Sequence, residues 1–222
     1  VPGQTDLRGD LLKPRGYVLV GGRSERMGLD KATLRIAGRP LVEIAVATLR
    51  PVSSDVFLCG SRSDLAKYAP VLPDSREGTG PLMALVSALR HVSELGDAVL
   101  AVTLPVDVPL LPAELLQFLL ERARESGAWA TVPIAAERPQ PLCAVFSAHL
   151  AGLLEALLQA GESKVMRALQ QTCEPEGKLD LVDLAAILPP ERAAALPVWF
   201  LNVNTPDQVA IVERELSRPR VW

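Results

Sequence analysis

Leu19-Val-Gly-Gly-Arg-Ser-Glu-Arg-Met-Gly-Leu-Asp-Lys31 decides how this chain is read. It follows a short apolar run, Tyr17-Val-Leu-Val20, and packs three glycines and three cations into eleven residues from Gly21 to Lys31. A glycine-rich turn leaving a buried strand lets backbone N–H groups approach an anion, since no Cβ holds the ligand away. Arg23, Arg26 and Lys31 add positive charge to the same place. Blank loops gain nothing from such mutual repulsion. The stretch therefore reads as a loop for a polyphosphate.

Two other phosphate motifs are excluded by spacing. The Walker pattern needs a Gly-Lys pair, which this loop lacks, and the dinucleotide fingerprint needs Gly-x-Gly-x-x-Gly, whereas the spacing is Gly21-Gly22-x5-Gly28.

Working outward, Tyr17–Val20 is too continuously apolar for a half-exposed strand and suits one covered on both faces. Ala32–Ile36 reads as a short extended piece before the turn Ala37-Gly-Arg39, and Pro40 as the first residue of a helix to Arg50. Asp55–Cys59 is a second strand. A short helix with a capping serine is expected over Ser63–Tyr68, and a brief strand at Val71-Leu72. Pro73–Pro81 is a turn-rich loop, and Pro81–Leu95 an amphipathic helix closed by Gly96. Ala98–Leu104 is the most apolar strand, expected at the sheet centre, with a helix from Pro112 to Glu125. Trp129–Ile134 and Leu142–Phe146 read as strands, with Pro133 at a strand end or sheet edge. Helices follow at Ala148–Gln159 and Ser163–Gln171. Leu179–Pro197 has weak character, Val198–Leu201 reads as a last strand, and Pro206 opens a terminal helix to Leu216.

This alternation predicts an α/β fold: three layers, with a mostly parallel twisted sheet and helices on both faces. No low-complexity linker divides residues 1–222, so one domain is expected, with 1–15 as a flexible tail. At 49% hydrophobic residues the chain can bury a substantial core, and a net charge of −3 argues against a nucleic-acid or membrane-surface binder. The first sixteen residues lack an apolar signal core, and no long uncharged apolar run appears, so a cytoplasmic protein is expected. Cys59, Cys143 and Cys173 have no metal or redox spacing and read as packing residues, while His91 and His149 read as exposed helix residues.

Asp107 ends the most apolar strand, where open parallel sheets gather ligands. A carboxylate there suits Mg²⁺, which takes one or two carboxylates plus phosphate oxygens and water; the alternative is a helix cap before Pro112. Asp74 precedes Gly78-Thr-Gly80 and can meet a base or ribose, or serve as an ordinary turn residue. Asn202 and Asn204 flank Val203, so alternation aims both amides to one side; the alternative is a loop and cap pair before Pro206.

The loop Leu19-x-Gly-Gly-x-Ser-x-Arg26-Met-Gly-x-Asp30-Lys31 resembles the signature of molybdenum cofactor guanylyltransferases. The resemblance runs from Gly16 to Glu215 and includes Asp74 with Gly80-Pro-Leu82, Asp107 in Pro105-x-Asp-x-Pro109, and Gln140-Pro-Leu-Cys-Ala144. Ala160-Gly-Glu-Ser-Lys-Val-Met166 and Asn202-Val-Asn-Thr-Pro206 favour this branch among nucleotidyltransferases.

It implies a Rossmann-like nucleotidyltransferase fold and transfer of GMP from GTP to molybdenum-bearing molybdopterin, with pyrophosphate leaving and Mg²⁺ as cofactor. Arg26, Lys31 and Asp107 are the implied catalytic residues, with Asp107 on the metal. Leu19, Val20, Gly21, Gly22, Arg23, Lys31, Asp74, Gly80, Pro81, Asp107, Asn202 and Asn204 are implied at the nucleotide and phosphates. Arg138, Gln140 and Lys164 are implied on the pterin side, although exposed solubilising residues would look the same. Asp30 reads as orienting the loop. Molybdoenzymes or cofactor-delivery proteins are the implied protein partners.

The chain departs from the pattern at Val20, a larger side chain than the usual alanine near the nucleotide, and at Met83-Ala84, which replaces Ala-Gly. Leu58-Cys-Gly-Ser61 lacks the asparagine that members can place against the nucleotide. Gly21, where the cytidylyltransferase branch tends to carry alanine, leaves room for a purine. A related transferase using CTP or a sugar phosphate, and a non-catalytic nucleotide or cofactor binder, are the alternatives.

Overall fold

The computed structural model describes residues 14–21, 30–74, 80–95 and 99–217. Gly22, Arg23 and Arg26, residues 1–13 of the expected tail, Gly78 and Gly96 lie outside the described residues.

The first strand, β1 (Arg15–Leu19), begins two residues earlier than its apolar run and ends before Val20. A 3-10 turn at Lys31–Thr33 leads into a hairpin of β2 (Arg35–Ile36) and β3 (Arg39–Pro40). Helix α1 (Leu41–Leu49) follows with Pro40 as its N-cap rather than its first residue. Then come β4 (Asp55–Cys59), β5 (Val71–Leu72), α2 (Pro81–Leu95), β6 (Leu100–Pro105) and α3 (Ala113–Ser126). The remainder is β7 (Ala130–Ala135), β8 (Arg138–Pro139), β9 (Val145–Ser147), α4 (Leu150–Gln159), α5 (Val165–Cys173) and β10 (Leu179–Asp183). Three one-turn helices, α6 (Leu184–Ile187), α7 (Pro190–Ala193) and α8 (Leu196–Trp199), precede α9 (Pro206–Leu216).

The sheet runs in the order β10-β7-β9-β6-β1-β4-β5, with β8 paired to β7. The ladders β6–β1, β1–β4, β4–β5 and β7–β10 are parallel, and β9 is antiparallel to both its neighbours. Burial explains the continuous apolar run of β1. Val18 and Val20 belong to one core with α1, α3, α8 and α9, whereas Tyr17 and Leu19 belong to the other with α2, α4 and α5. Alternate side chains of a strand face opposite ways, so a sheet covered by helices on both faces needs apolar residues at every position. The three-layer expectation holds, and β6, as expected, lies at the centre. Among the described residues no helix is long and apolar enough to cross a membrane.

Several expectations are corrected. Val198–Leu201 is not a strand: Leu196–Trp199 is helical, and Trp199 and Phe200 lie in the α1–α3 core. A four-residue apolar run fits a buried helix turn as well as a strand. The weak stretch from Leu179 instead opens with β10, pairing with β7 from Leu179↔Ala130 to Asp183↔Ile134. Aspartates depress strand propensity, but Asp180 is held by Arg122, whose Nε donates at 2.7 Å. Charges on this edge also discourage pairing with another chain. Pro133 stands inside β7, not at its end or at the sheet edge. Its register partner in β10 is Val182, while its carbonyl accepts from Gln140 N at 2.8 Å on the opposite side, past the last residue that β9 pairs. A strand residue's N–H and C=O point the same way, so the donor that proline lacks is missing from no ladder.

Ser63 does not cap a helix to Tyr68; a single 3-10 turn, Ser63–Leu65, forms with Arg62 at its N-cap. His91 is half-buried rather than exposed, its Nδ1 2.9 Å from the Tyr17 hydroxyl and its ring tilted against Phe57 with centroids 4.4 Å apart, so desolvation lowers its pKa. His149 is exposed as expected, and all three cysteines are buried packing residues.

Candidate active site at the C-terminal edge of the sheet

In the shared register, Leu19 stands opposite Cys59 on one side and Pro105 on the other, and Cys59 stands opposite Leu72. Four parallel strands thus end together, and the segments leaving them carry Gly21, Gly60, Asp74 and Asp107. Such an edge is where open α/β sheets bind ligands.

The entry to the glycine-rich loop is fixed by main-chain bonds. Val20 N donates to Cys59 O at 3.0 Å, and Val106 N donates to Leu19 O at 3.1 Å. The side chains of Leu19 and Val20 are buried in opposite cores, at 6% and 2% exposure. The bulk of the Val20 side chain is therefore buried in the core rather than left open at the sheet edge. Its bulk falls on Gly60, where a Cβ would meet Val20 Cγ2 at 3.1 Å and Gly21 N at 3.2 Å. Gly60 also has φ of +142°, a conformation that L side chains rarely adopt. Gly60→Ala should cost about 1–3 kcal/mol of stability, measured by urea unfolding. A Cβ at Gly21, by contrast, would meet nothing within 4 Å among the described residues.

At the loop's far end Asp30 caps the 3-10 turn, accepting from Ala32 N at 3.2 Å and from Thr33 Oγ1 at 3.0 Å. Arg62 Nη1 donates to Asp30 Oδ1 at 2.8 Å, and this hydrogen bonding holds the Asp30 carboxyl below its usual pKa. With its oxygens engaged this way, Asp30 fits the expected orienting role. The turn then begins with Lys31, whose ammonium donates to Asp107 Oδ2 at 3.0 Å and to Asn204 Oδ1. The Lys31 and Asp107 side chains are 18% and 21% exposed, open enough for a ligand yet shielded enough to strengthen the attraction.

Asp107 does not cap α3, whose N-cap is Pro112 without a side-chain bond. Its carboxylate turns to Lys31, and its carbonyl accepts from Val203 N at 2.8 Å. That bond anchors the loop before α9. Val203 is fully buried while Asn202 and Asn204 are exposed beside it, as alternation requires. Thr205, not either asparagine, caps α9 through a capping box with Gln208. Gln208 Oε1 also accepts from Asn204 N, so the loop is held while the Asn204 amide stays on Lys31.

The other candidates surround this cluster at varying remove. Asp74 follows β5, half-buried, with Ser87 Oγ donating at 3.4 Å; burial raises its carboxyl pKa. Gly80, with φ of +78°, and Pro81 open α2 beyond the undescribed 75–79. Gln140 lies on the segment after β8, with its carbonyl accepting from Cys143 N at 3.0 Å. Cys143 is buried, and burial, with a smaller contribution from the Asp107 charge, pushes its thiol pKa up. Arg138 is exposed on β8, behind the tight Ala136-Glu137 turn. Lys164 stands at the N-cap position of α5 without a side-chain capping bond, lining a cavity of about 410 Å³ with Glu162, Arg167 and Gln171. Arg138, Lys164 and Asn202 share no hydrogen bond with the Lys31–Asp107–Asn204 cluster among the described residues.

Sequence reading passed over Arg62 and Gly60. The segment that lacks the asparagine, Leu58–Ser61, supplies instead the glycine under Val20, and the next residue is the arginine on Asp30. A glycine just past a strand was the one signal available in the sequence.

Among the described residues no three His, Cys, Asp or Glu side chains converge on a metal position. The cluster instead offers the oxygens of Asp107 and Asn204, both turned to one cationic nitrogen. Two hard oxygen donors suit Mg²⁺ whose remaining ligands are phosphate oxygens and water.

Residues 16–174 match the family model for the MobA-like NTP transferase domain. A Rhizobium johnstonii protein named molybdenum cofactor guanylyltransferase is 31% identical over 206 residues, covering 92% of this chain and 94% of its own length. A Methanothermobacter thermautotrophicus protein named probable molybdenum cofactor guanylyltransferase is 39% identical over 204 residues, covering 87% and 96%. In structure, molybdopterin-guanine dinucleotide biosynthesis protein A from Archaeoglobus fulgidus superposes with a TM-score of 0.73 at 23% identity, covering 91% of this chain and 98% of its own.

Proposed function

The chain belongs to the MobA-like NTP transferase family, and on that premise we propose that it transfers GMP from GTP to molybdopterin carrying molybdenum. The product is the guanine dinucleotide form of the cofactor. Relatives named as molybdenum cofactor guanylyltransferases support this reading over most of the chain. The observation that carries it is the convergence of Lys31, Asp107 and Asn204, with Asp107 two residues past Pro105 at the edge where the parallel strands end.

A terminal phosphate oxygen of the pterin attacks the α-phosphorus of GTP. The new P–O bond forms as the bond from the α-phosphorus to the bridging β-phosphate oxygen breaks, and pyrophosphate leaves with that electron pair. The nucleophile is already anionic near neutral pH, so no strong base is needed. Catalysis then rests on alignment and charge neutralisation. Lys31 supplies an ammonium for the triphosphate, with Arg23, Arg26 and the backbone of Gly21-Gly22 as its partners by sequence. Asp107 would hold Mg²⁺ with the Asn204 amide oxygen. When bound, the ion draws negative charge from the phosphate oxygens. Asp74, Gly80 and Pro81 are assigned to the base and ribose, with Asn202 on the phosphate side. Arg138, Gln140 and Lys164 are assigned to the pterin. The reaction places the protein among cytoplasmic biosynthetic enzymes, with molybdoenzymes or delivery proteins receiving its product.

Thermal stabilisation by GTP, CTP, ATP and UTP, each with Mg²⁺, tests the base assignment, because a ligand stabilises the state it binds. The lack of a side chain at Gly21 favours a purine, and the relatives named guanylyltransferases favour guanine, so GTP should raise Tm most. A larger shift with CTP or UTP would contradict the guanylyl assignment.

A further inference from the structure

The segment after β4 touches the glycine-rich loop at both ends. At the entry Gly60 packs against Val20 and the Gly21 amide, where a Cβ would stand 3.2 Å from Gly21 N. At the exit Arg62 forks onto the Asp30 carboxylate, Nη1 to Oδ1 at 2.8 Å and Nη2 to Oδ2 at 2.5 Å. Its Nε also donates to Asp64 Oδ1 at 2.9 Å, and its Nη2 to Asp64 Oδ2 at 2.7 Å. The guanidinium thus lies between two carboxylates, and its charge is more than matched before any ligand arrives. A cation engaged in this way is a poor anchor for a triphosphate and a good rigid strut, because the planar fork fixes both partners.

What the strut holds is the residue before Lys31. Asp30 caps the turn in which Lys31 is the first residue, so the position of its carboxylate sets the backbone from which the Lys31 ammonium reaches Asp107 and Asn204. We propose that Arg62 is a positioning residue for nucleotidyl transfer, acting through Asp30 to aim Lys31. With Gly60 it makes the β4 segment a brace for both ends of the loop. The inference rests on the reading of that loop as the triphosphate site.

Arg62→Ala, Asp30→Ala, the double variant and Arg62→Lys are compared by GTP turnover, by the rise in Tm that GTP induces, and by the unliganded Tm. If Arg62 acts through Asp30, each alanine variant lowers kcat/KM by about tenfold to a hundredfold, and the double variant is no worse than either single. Arg62→Lys, with one point charge for a fork, recovers less than half of the loss on a logarithmic scale. In a Lys31→Ala background Arg62→Ala removes nothing further from the GTP-induced Tm shift, an outcome that a purely structural role would not give. Additive losses in the double variant, or an undiminished effect in the Lys31→Ala background, overturn the proposal. Wild-type protein that turns over GTP while Arg62→Ala matches it overturns the proposal alone. Wild-type protein that binds no GTP overturns the reading of the loop, and the proposal with it.

Discussion

Asp107→Asn lowers the rate of GMP transfer by about a thousandfold or more, because it removes the only carboxylate that pairs with the Lys31 ammonium among the described residues while keeping the shape of the side chain. The Asp107 carbonyl still accepts from Val203 N, so the loop before α9 stays docked. The lost ion pair is partly exposed, and its removal should cost about 1 kcal/mol or less of stability. Circular dichroism and thermal unfolding should therefore read as nearly native. An amide is also a weaker magnesium ligand than a carboxylate, so the Mg²⁺ concentration giving half-maximal rate should rise. Near-normal turnover at saturating Mg²⁺ would remove Asp107 from the machinery.

Lys31→Ala has the second largest effect, a fall in kcat/KM of about a hundredfold to a thousandfold. Its ammonium reaches two oxygen acceptors from distant parts of the chain, and no other described side chain delivers positive charge to that point. The metal requirement separates this variant from the first: Asp107 remains in place, so the Mg²⁺ dependence at saturating GTP should stay close to wild type. Steady-state rates across GTP and Mg²⁺ concentrations check both statements. A Lys31→Ala protein with unchanged kcat/KM would show that the ammonium serves the free protein's charge balance alone.

The difference between what was legible in the sequence and what was not has a physical pattern. The central layer was legible because burial on both faces leaves an unbroken apolar run, as in Tyr17–Val20 and in β6. Asp55–Cys59 and Pro206–Leu216 matched to the residue, the latter because Thr205 and Pro206 mark a helix start by local chemistry. Where burial is one-sided or the run is short, pattern fails. Val198–Leu201 is apolar enough for a strand but folds as a turn of helix against α1 and α3, and β10 hides behind two aspartates.

In the site, residue types were readable and their pairings were not. Lys31 and Asp107 were both identified as functional residues, but their contact spans 76 positions, and that of Lys31 with Asn204 spans 173. Nothing local encodes either contact. Arg62 went unread for the same reason: its role lies in a partner 32 positions earlier. The direction of Val20 could not be read from its size, since the register of β1 and the absence of a Cβ at Gly60 decide where that bulk goes.

The central claim is that the cluster at the sheet edge activates GTP for transfer to the pterin. Its most direct test combines the purified chain with GTP, Mg²⁺ and molybdopterin carrying molybdenum, and quantifies pyrophosphate and the guanine dinucleotide together. The account predicts one pyrophosphate for each dinucleotide formed, with both absent when Asp107 is replaced by Asn. Binding of GTP without release of pyrophosphate in the presence of that acceptor would contradict it.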